Sequence, residues 1–154
     1  MDRKELEERL APCGLDCARC VRKQGGAVAR LAEELAGRLT GYAAFAARFA
    51  ATDPTLAGYP QFEAMLGRLA GADCGGCRSA RGRGADNRCG LPGCAAKVCA
   101  AERGIAFCGE CAEFPCGRNA YPEQLALRWK AMGERIAEVG ADAYYAEQAA
   151  RPRY

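Results

Sequence analysis

A chain of 154 residues, half of them apolar and 27% charged, is sized for one domain with its own core and is short for two. It carries eleven cysteines and no histidine, which excludes ordinary Cys-His catalysis and the commonest nitrogen ligand, so any metal must be held by sulfur, with carboxylate or water. The net charge of +3 counts every thiol as neutral; a zinc ion held by four thiolates carries −2, two such sites bring +3 to −1, and the charge argument for a nucleic-acid partner disappears.

Val, Ile and Thr together supply nine residues while Ala is abundant throughout, a balance that disfavours an extensive sheet and predicts a mostly α fold. The opening run MDRKELEERL has no apolar stretch of the kind a secretory signal needs, and charged residues interrupt every candidate for a membrane span of roughly 18 to 20 apolar residues. The expectation is a cytoplasmic protein with no membrane partner, in a reducing compartment where clustered cysteines bind metal or do chemistry rather than pair as disulfides. The odd count also forbids pairing all of them within one molecule.

In chain order, a short helix over residues 2–10 places Leu6 and Leu10 one turn apart, and Pro12 ends it before a loop with the first cysteines. Residues 27–39 repeat Val28, Leu31, Leu35 and Leu39 at helical spacing, with Gly41 as a break. Tyr42, Phe45 and Phe49 continue a helical stripe until Asp53 and Pro54. Pro60 suits a first helical turn, and Phe62, Met65, Leu66 and Leu69 form another apolar face before Gly71. These helices are expected to pack together. Residues 71–93 are rich in Gly, Arg, Asp and Asn and carry no periodic apolar face, so metal would have to order them. Residues 95–103 suit a short helix ended by Gly104. A longer helix over 122–139 aligns Leu125, Trp129, Met132, Ile136 and Val139 as a core stripe, stopped by Gly140, and residues 142–150 form a terminal helix free to fray. The whole is read as a single domain over 1–154: a helical part at 27–70, a cysteine-rich metal-binding part at 71–118 and C-terminal helices at 122–150.

The chemistry lies in the cysteine spacing. Cys74, Cys77, Cys89 and Cys94 read C-x2-C-x11-C-x4-C, two close pairs flanking a loop, which is how structural zinc sites are usually built. Gly75 and Gly76 favour the tight turn at the first pair. Cys99, Cys108, Cys111 and Cys116 read C-x8-C-x2-C-x4-C, with Pro115 fixing the backbone beside the last, and could hold a second ion. Spacing alone does not choose between these sets and interleaved ones such as Cys74, Cys77, Cys94 and Cys99. The third group, Cys13, Cys17 and Cys20, has three thiols with Asp16, water or a distant cysteine as candidates for a fourth ligand. Its C-x3-C-x2-C spacing also occurs in radical S-adenosylmethionine enzymes, but the barrel of strands and helices they require is missing here. A thioredoxin-type use of any C-x2-C pair would need a strand-helix-strand setting that the sequence does not offer. The arginines between Arg78 and Arg88 could contact phosphate, but without interleaved aromatics they read more simply as a solvated loop around a metal site.

Three motifs in order carry a resemblance: Pro12-Cys13-Gly14-Leu15-Asp16-Cys17-x2-Cys20, Cys74-Gly75-Gly76-Cys77-Arg78-Ser79, and Cys108-x2-Cys111-x-Glu113-Phe114-Pro115-Cys116. Over about residues 11–118 the chain resembles a prokaryotic cysteine-rich family named domain of unknown function 3795, and all eleven cysteines find counterparts there. The resemblance implies a zinc-binding family with no established reaction or substrate. The chain departs from it in having Val21 rather than an aromatic residue after the third cysteine, a Cys89–Cys94 interval two residues longer than usual, and Ala95-Ala96-Lys97-Val98 in place of a more basic run.

Together these readings predict a zinc-binding protein with cysteine-only structural sites, more a module that recognises a protein partner than an enzyme. The alternative is an iron-sulfur or thiol redox protein using Cys13, Cys17 and Cys20.

Overall fold

The computed structural model describes residues 1–79 and 94–154; among them are seven α-helices and no strand, as the composition predicts. The chain divides into two compact units, residues 21–73 and residues 1–20 together with 74–154.

In the unit formed by 21–73, α2 (Ala27–Arg38), α3 (Tyr42–Phe49) and α4 (Tyr59–Ala70) follow one another. Gly41, at φ +84°, turns the corner before α3, a left-handed conformation that glycine adopts without steric cost. Asp53 accepts a hydrogen bond from the Thr55 N–H at 3.0 Å and so opens a 3-10 turn over Pro54–Gly58 that leads into α4. α2 packs along α4, and the side chains it buries are small: Ala29 and Ala32 on α2, with Ala46 on α3 and Tyr59 and Leu66 on α4.

The helices therefore stand where the sequence places them, but their apolar stripes do not all face inward. Of the α2 stripe, Val28 and Leu39 are half-buried while Leu31 (66% exposed) and Leu35 lie at the surface; Phe45, Phe49, Phe62 and Met65 are exposed as well. Alanine on the contact face lets two helix backbones approach closely, and three short helices enclose too little volume to cover six further bulky side chains. The aromatic rings instead meet one another, Tyr42 with Tyr59 at 5.0 Å between centroids and Phe45 with Phe49 at 4.5 Å.

The other unit holds α1 (Arg3–Arg9), α5 (Ala95–Arg103), α6 (Glu123–Val139) and α7 (Ala141–Ala149). Asp2 caps α1 by accepting from the Glu5 N–H at 2.8 Å. The core is Leu6 and Leu10 of α1, Phe107, Ile136 of α6, and Ala141 and Tyr144 of α7, with Met132 and Val139 packed against it. The α6 stripe thus turns inward as predicted: Trp129 and Ile136 are buried, and Leu125, Met132 and Val139 are half-buried. Gly140, at φ +80°, ends α6 and begins α7.

Two arginines do structural work that the sequence did not announce. Arg78 donates to the carbonyls of Glu7 (2.9 Å) and Leu10 (2.6 Å) at the end of α1 and to that of Ala106, and stacks over Phe107, whose ring also lies 5.0 Å from the Arg3 guanidinium. It is thereby committed to holding α1, not to a phosphate; the remainder of the Arg78–Arg88 stretch, from residue 80 on, lies outside the described residues. Arg19 donates to the carbonyls of Ala149 (3.3 Å), Arg151 (2.7 Å) and Gln148, so the end of α7, expected to be free to fray, is tied down.

Candidate metal centre

The segment carrying Cys13 leaves α1 as a tight loop. The Ala11 N–H donates to Leu15 O at 2.8 Å, Leu10 bridges Asp16 in antiparallel fashion, and the Cys17 N–H donates to Arg9 O at 2.8 Å, so Cys13 sits at the turn. Gly14, at φ +89°, lets this turn lie against α6: a Cβ there would sit 3.0 Å from Met132 Cβ and 3.2 Å from Ile136 Cδ1. The Tyr144 hydroxyl donates to Gly14 O at 2.9 Å, pinning the loop from α7.

Asp16, a candidate fourth ligand of the first cluster, is engaged elsewhere. It is 4% exposed, and its carboxylate accepts from Arg19 Nε at 2.6 Å and from the Arg19 N–H at 3.2 Å. It therefore orients the guanidinium that holds the C-terminal carbonyls. The neighbours of Cys13 come from distant sequence instead. Burial pushes its thiol up to about 12, and the thiols of Cys77, Cys94 and Cys108 add to that by the repulsion their charges would exert. Cys13 is half-exposed as a residue, but atoms crowd its sulfur. Cys108 joins this loop through its backbone, its N–H donating to Pro12 O at 2.7 Å. Cys94 lies with its sulfur 3.2 Å from the Tyr121 hydroxyl, whose own ionisation is pushed up by burial and by Cys13.

Cys99 on α5, Cys108 and Cys111 on the turn after Phe107, and Cys116 line one pocket with Phe114 and Trp129. That turn, Cys108–Glu110, fits against α6 because two glycines meet: a Cβ on Gly109 would lie 2.2 Å from Gly133 O, and one on Gly133 would lie 2.3 Å from Phe114 Cζ. The Phe114–Pro115 peptide, just before Cys116, is cis. Phe114 and Tyr121 set their rings edge-on to Trp129, at 4.8 and 6.2 Å.

Charge in this pocket is arranged around the sulfurs. Burial pushes the Cys108 thiol up, the Trp129 side chain works against that by favouring the ionised sulfur, and Cys116, Cys99 and Cys111 lie close enough to oppose it. Arg103 donates to the Cys111 sulfur at 3.7 Å and holds Glu113 at 2.8 and 2.9 Å; the Glu113 carboxyl lies below its usual range chiefly because of that pairing. Sequence reading missed Arg103, Tyr121 and the second use of Trp129. Their positions along the chain give no sign of a sulfur nearby, since periodicity marks Trp129 only as core.

Cys17, Cys20 and Cys74 are half-buried, and Cys89 lies outside the described residues. None of the ten described cysteines is in a disulfide. Among the described residues no three Cys, Asp or Glu side chains stand as a group that could hold a metal ion. Cys99, Cys108, Cys111 and Cys116 are soft sulfur donors on the lining of one pocket, and the indole N–H of Trp129, on the same lining, is buried with no hydrogen-bond partner.

No helix among the described residues is long and apolar enough to cross a membrane. No curated protein and no solved structure matches the chain. The family model described as protein of unknown function (DUF3795) matches residues 9–120, from the end of α1 through every cysteine to the turn after Cys116. With well over half of its length matched, the chain belongs to the DUF3795 family.

Proposed function

We propose that this protein binds zinc through cysteine thiolates alone, that the metal is structural, and that its role is to recognise a partner protein in a reducing, cytoplasmic setting. The observation that carries the proposal is that Cys99, Cys108, Cys111 and Cys116, from a helix and two turns, all line one pocket. Thiolates at C-x2-C spacing give tetrahedral zinc sites in which all four ligands come from protein. Burial that raises the Cys13 and Cys108 thiols works against a bare thiolate at neutral pH, and a divalent cation offsets that cost by stabilising the charge. The hydrogen bond from the Cys108 N–H to Pro12 O, beside Cys13, supports ligands shared between the first cysteine cluster and the later ones. Recognition is supported by the six large apolar side chains that residues 21–73 leave exposed, more than the isolated surface residues a monomer normally scatters.

Metal analysis of aerobically purified protein tests this. One or more zinc ions per chain, with the corresponding thiols protected from titration, is the expected result. Less than one zinc per chain with all eleven thiols titratable in the native state overturns it. A brown anaerobic preparation absorbing near about 400 nm would put an iron-sulfur cluster in its place.

A further inference from the structure

A second cleft, of about 430 Å3, opens between α1, the end of α5 and the segment carrying Cys77 and Arg78. Its size falls within the roughly 300–1,000 Å3 of sites that take small molecules. Of the described residues on its lining, Arg3, Arg78 and Lys97 are cations and Glu7 is a carboxylate. Lys97 is 5% exposed, a depth at which lysine is rarely found. It stands on α5 one turn before Ala100 and Ala101, so the three share the helix face that borders the cleft. Gly104 ends that helix at φ +63°, and a Cβ built there would meet no atom within 4 Å, so the glycine leaves this side of the cleft open.

The two arginines are anchored in ways that keep their charge at the cleft. Arg78 donates to the carbonyls of Glu7, Leu10 and Ala106, which orient the guanidinium but carry no net charge to oppose it. The Glu7 carboxylate lies 3.7 Å from Arg78 and 3.3 Å from Arg3, so one negative charge on the lining serves two positive ones. Arg3 is also held by Glu110, at 2.7 Å, which is not on the lining. An ammonium has three donors, so Lys97 can bond within the protein and still offer one to a ligand. Pro12, Ile105 and Ala106 set apolar wall beside these charges, which suits an organic body better than a bare ion.

We infer that this cleft binds a small organic anion, a phosphate or carboxylate group on a compact body, with Lys97 donating to the anionic group while Arg3 and Arg78 supply positive charge from the wall. A charge-assisted hydrogen bond of this kind is stronger than a neutral one, and it gains further where the walls keep water away. Glu7 opposes the ligand and so tempers its affinity. The inference goes beyond the zinc reading and does not rest on it, since no sulfur takes part.

Isotope-labelled full-length protein is titrated with glycerol phosphate and, separately, with succinate, each against sodium chloride at equal ionic strength. The expected result is saturable movement of the backbone amide resonances of Lys97, Ala101, Gly104 and Ala106 with at least one probe, and the tighter of the two tells phosphate from carboxylate. Movement no larger than with chloride for both probes, or spread evenly over the chain, overturns the inference. Lys97→Gln is expected to weaken binding about tenfold. Glu7→Gln removes the carboxylate from the lining and is expected to tighten binding a few-fold. Unchanged affinity in Lys97→Gln overturns the inference. Should that buried variant fail to fold, Glu7→Gln on the surface of α1 decides in its place, and an affinity that does not rise counts against the site.

Discussion

The two units of this chain reach order by different routes. Residues 21–73 contain no cysteine and are three helices and a 3-10 turn, joined by Gly41 and Asp53 and seated on alanine contacts, with six large apolar side chains exposed. The other unit holds all eleven cysteines, and in it loops are fixed by particular bonds, such as Tyr144 to Gly14 O, Arg78 to the end of α1 and Cys108 N–H to Pro12 O. Local backbone bonding suffices for the first, while the second needs long-range pins at each irregular stretch. That difference says where loss of a metal would be felt.

Chelation should break the comparison most sharply. Stripping metal under reducing conditions is expected to abolish the near-ultraviolet dichroism of Trp129 and expose amides around Cys94 to Cys116, while amides of α2 and α4 keep their protection in hydrogen exchange. Equal loss in both units would show that they do not differ in this way. Next in size, Phe107→Ala removes a fully buried ring between Arg3 and Arg78 and should lower stability by about 3–5 kcal/mol in chemical denaturation. Leu31→Ala, on the exposed side of α2, should change it by less than about 0.5 kcal/mol, and a larger loss would mean that this face is covered.

Gly133→Ala drives a methyl group into the Phe114 ring and is expected to cost about 1–3 kcal/mol and to loosen the Cys108–Glu110 turn, seen as faster alkylation of Cys108 and Cys111. The smallest effect is electrostatic. Glu147 has its carboxyl lowered, first by its hydrogen bond to Arg135, so the pair stabilises the fold above the ordinary carboxylate value of 4.5 and the contribution fades as pH falls through the lowered one. Glu147→Gln should therefore lower Tm slightly at neutral pH, with the difference vanishing as pH falls through the lowered carboxyl value, so that the acid side of the Tm–pH curve is flattened.

Much of the secondary structure was legible because its signals are local. Pro122 and Gly140 bracket α6 in the sequence as they do in the fold, the helix predicted over 95–103 stands at Ala95–Arg103, and the stripe read from Tyr42 until Asp53 and Pro54 is a helix over Tyr42–Phe49. The inward faces of α2, α3 and α4 were less so: Leu31 and Phe62 satisfy helical periodicity, yet the face that is buried depends on which neighbour arrives, and alanines accept the closest one.

By itself the sequence determined that the fold is helical and that sulfur is its distinctive chemistry, since composition and local periodicity carry both, while cysteine spacing left open which thiols belong together. The tertiary structure decided that the Cys108 N–H bonds Pro12 O beside Cys13, that Asp16 serves Arg19, and that Trp129 lines the pocket with the four cysteines. The first of these joins residues 96 positions apart only after α1, α6 and α7 close around Phe107 and Tyr144, and no short-range pattern records which loops that closure brings together.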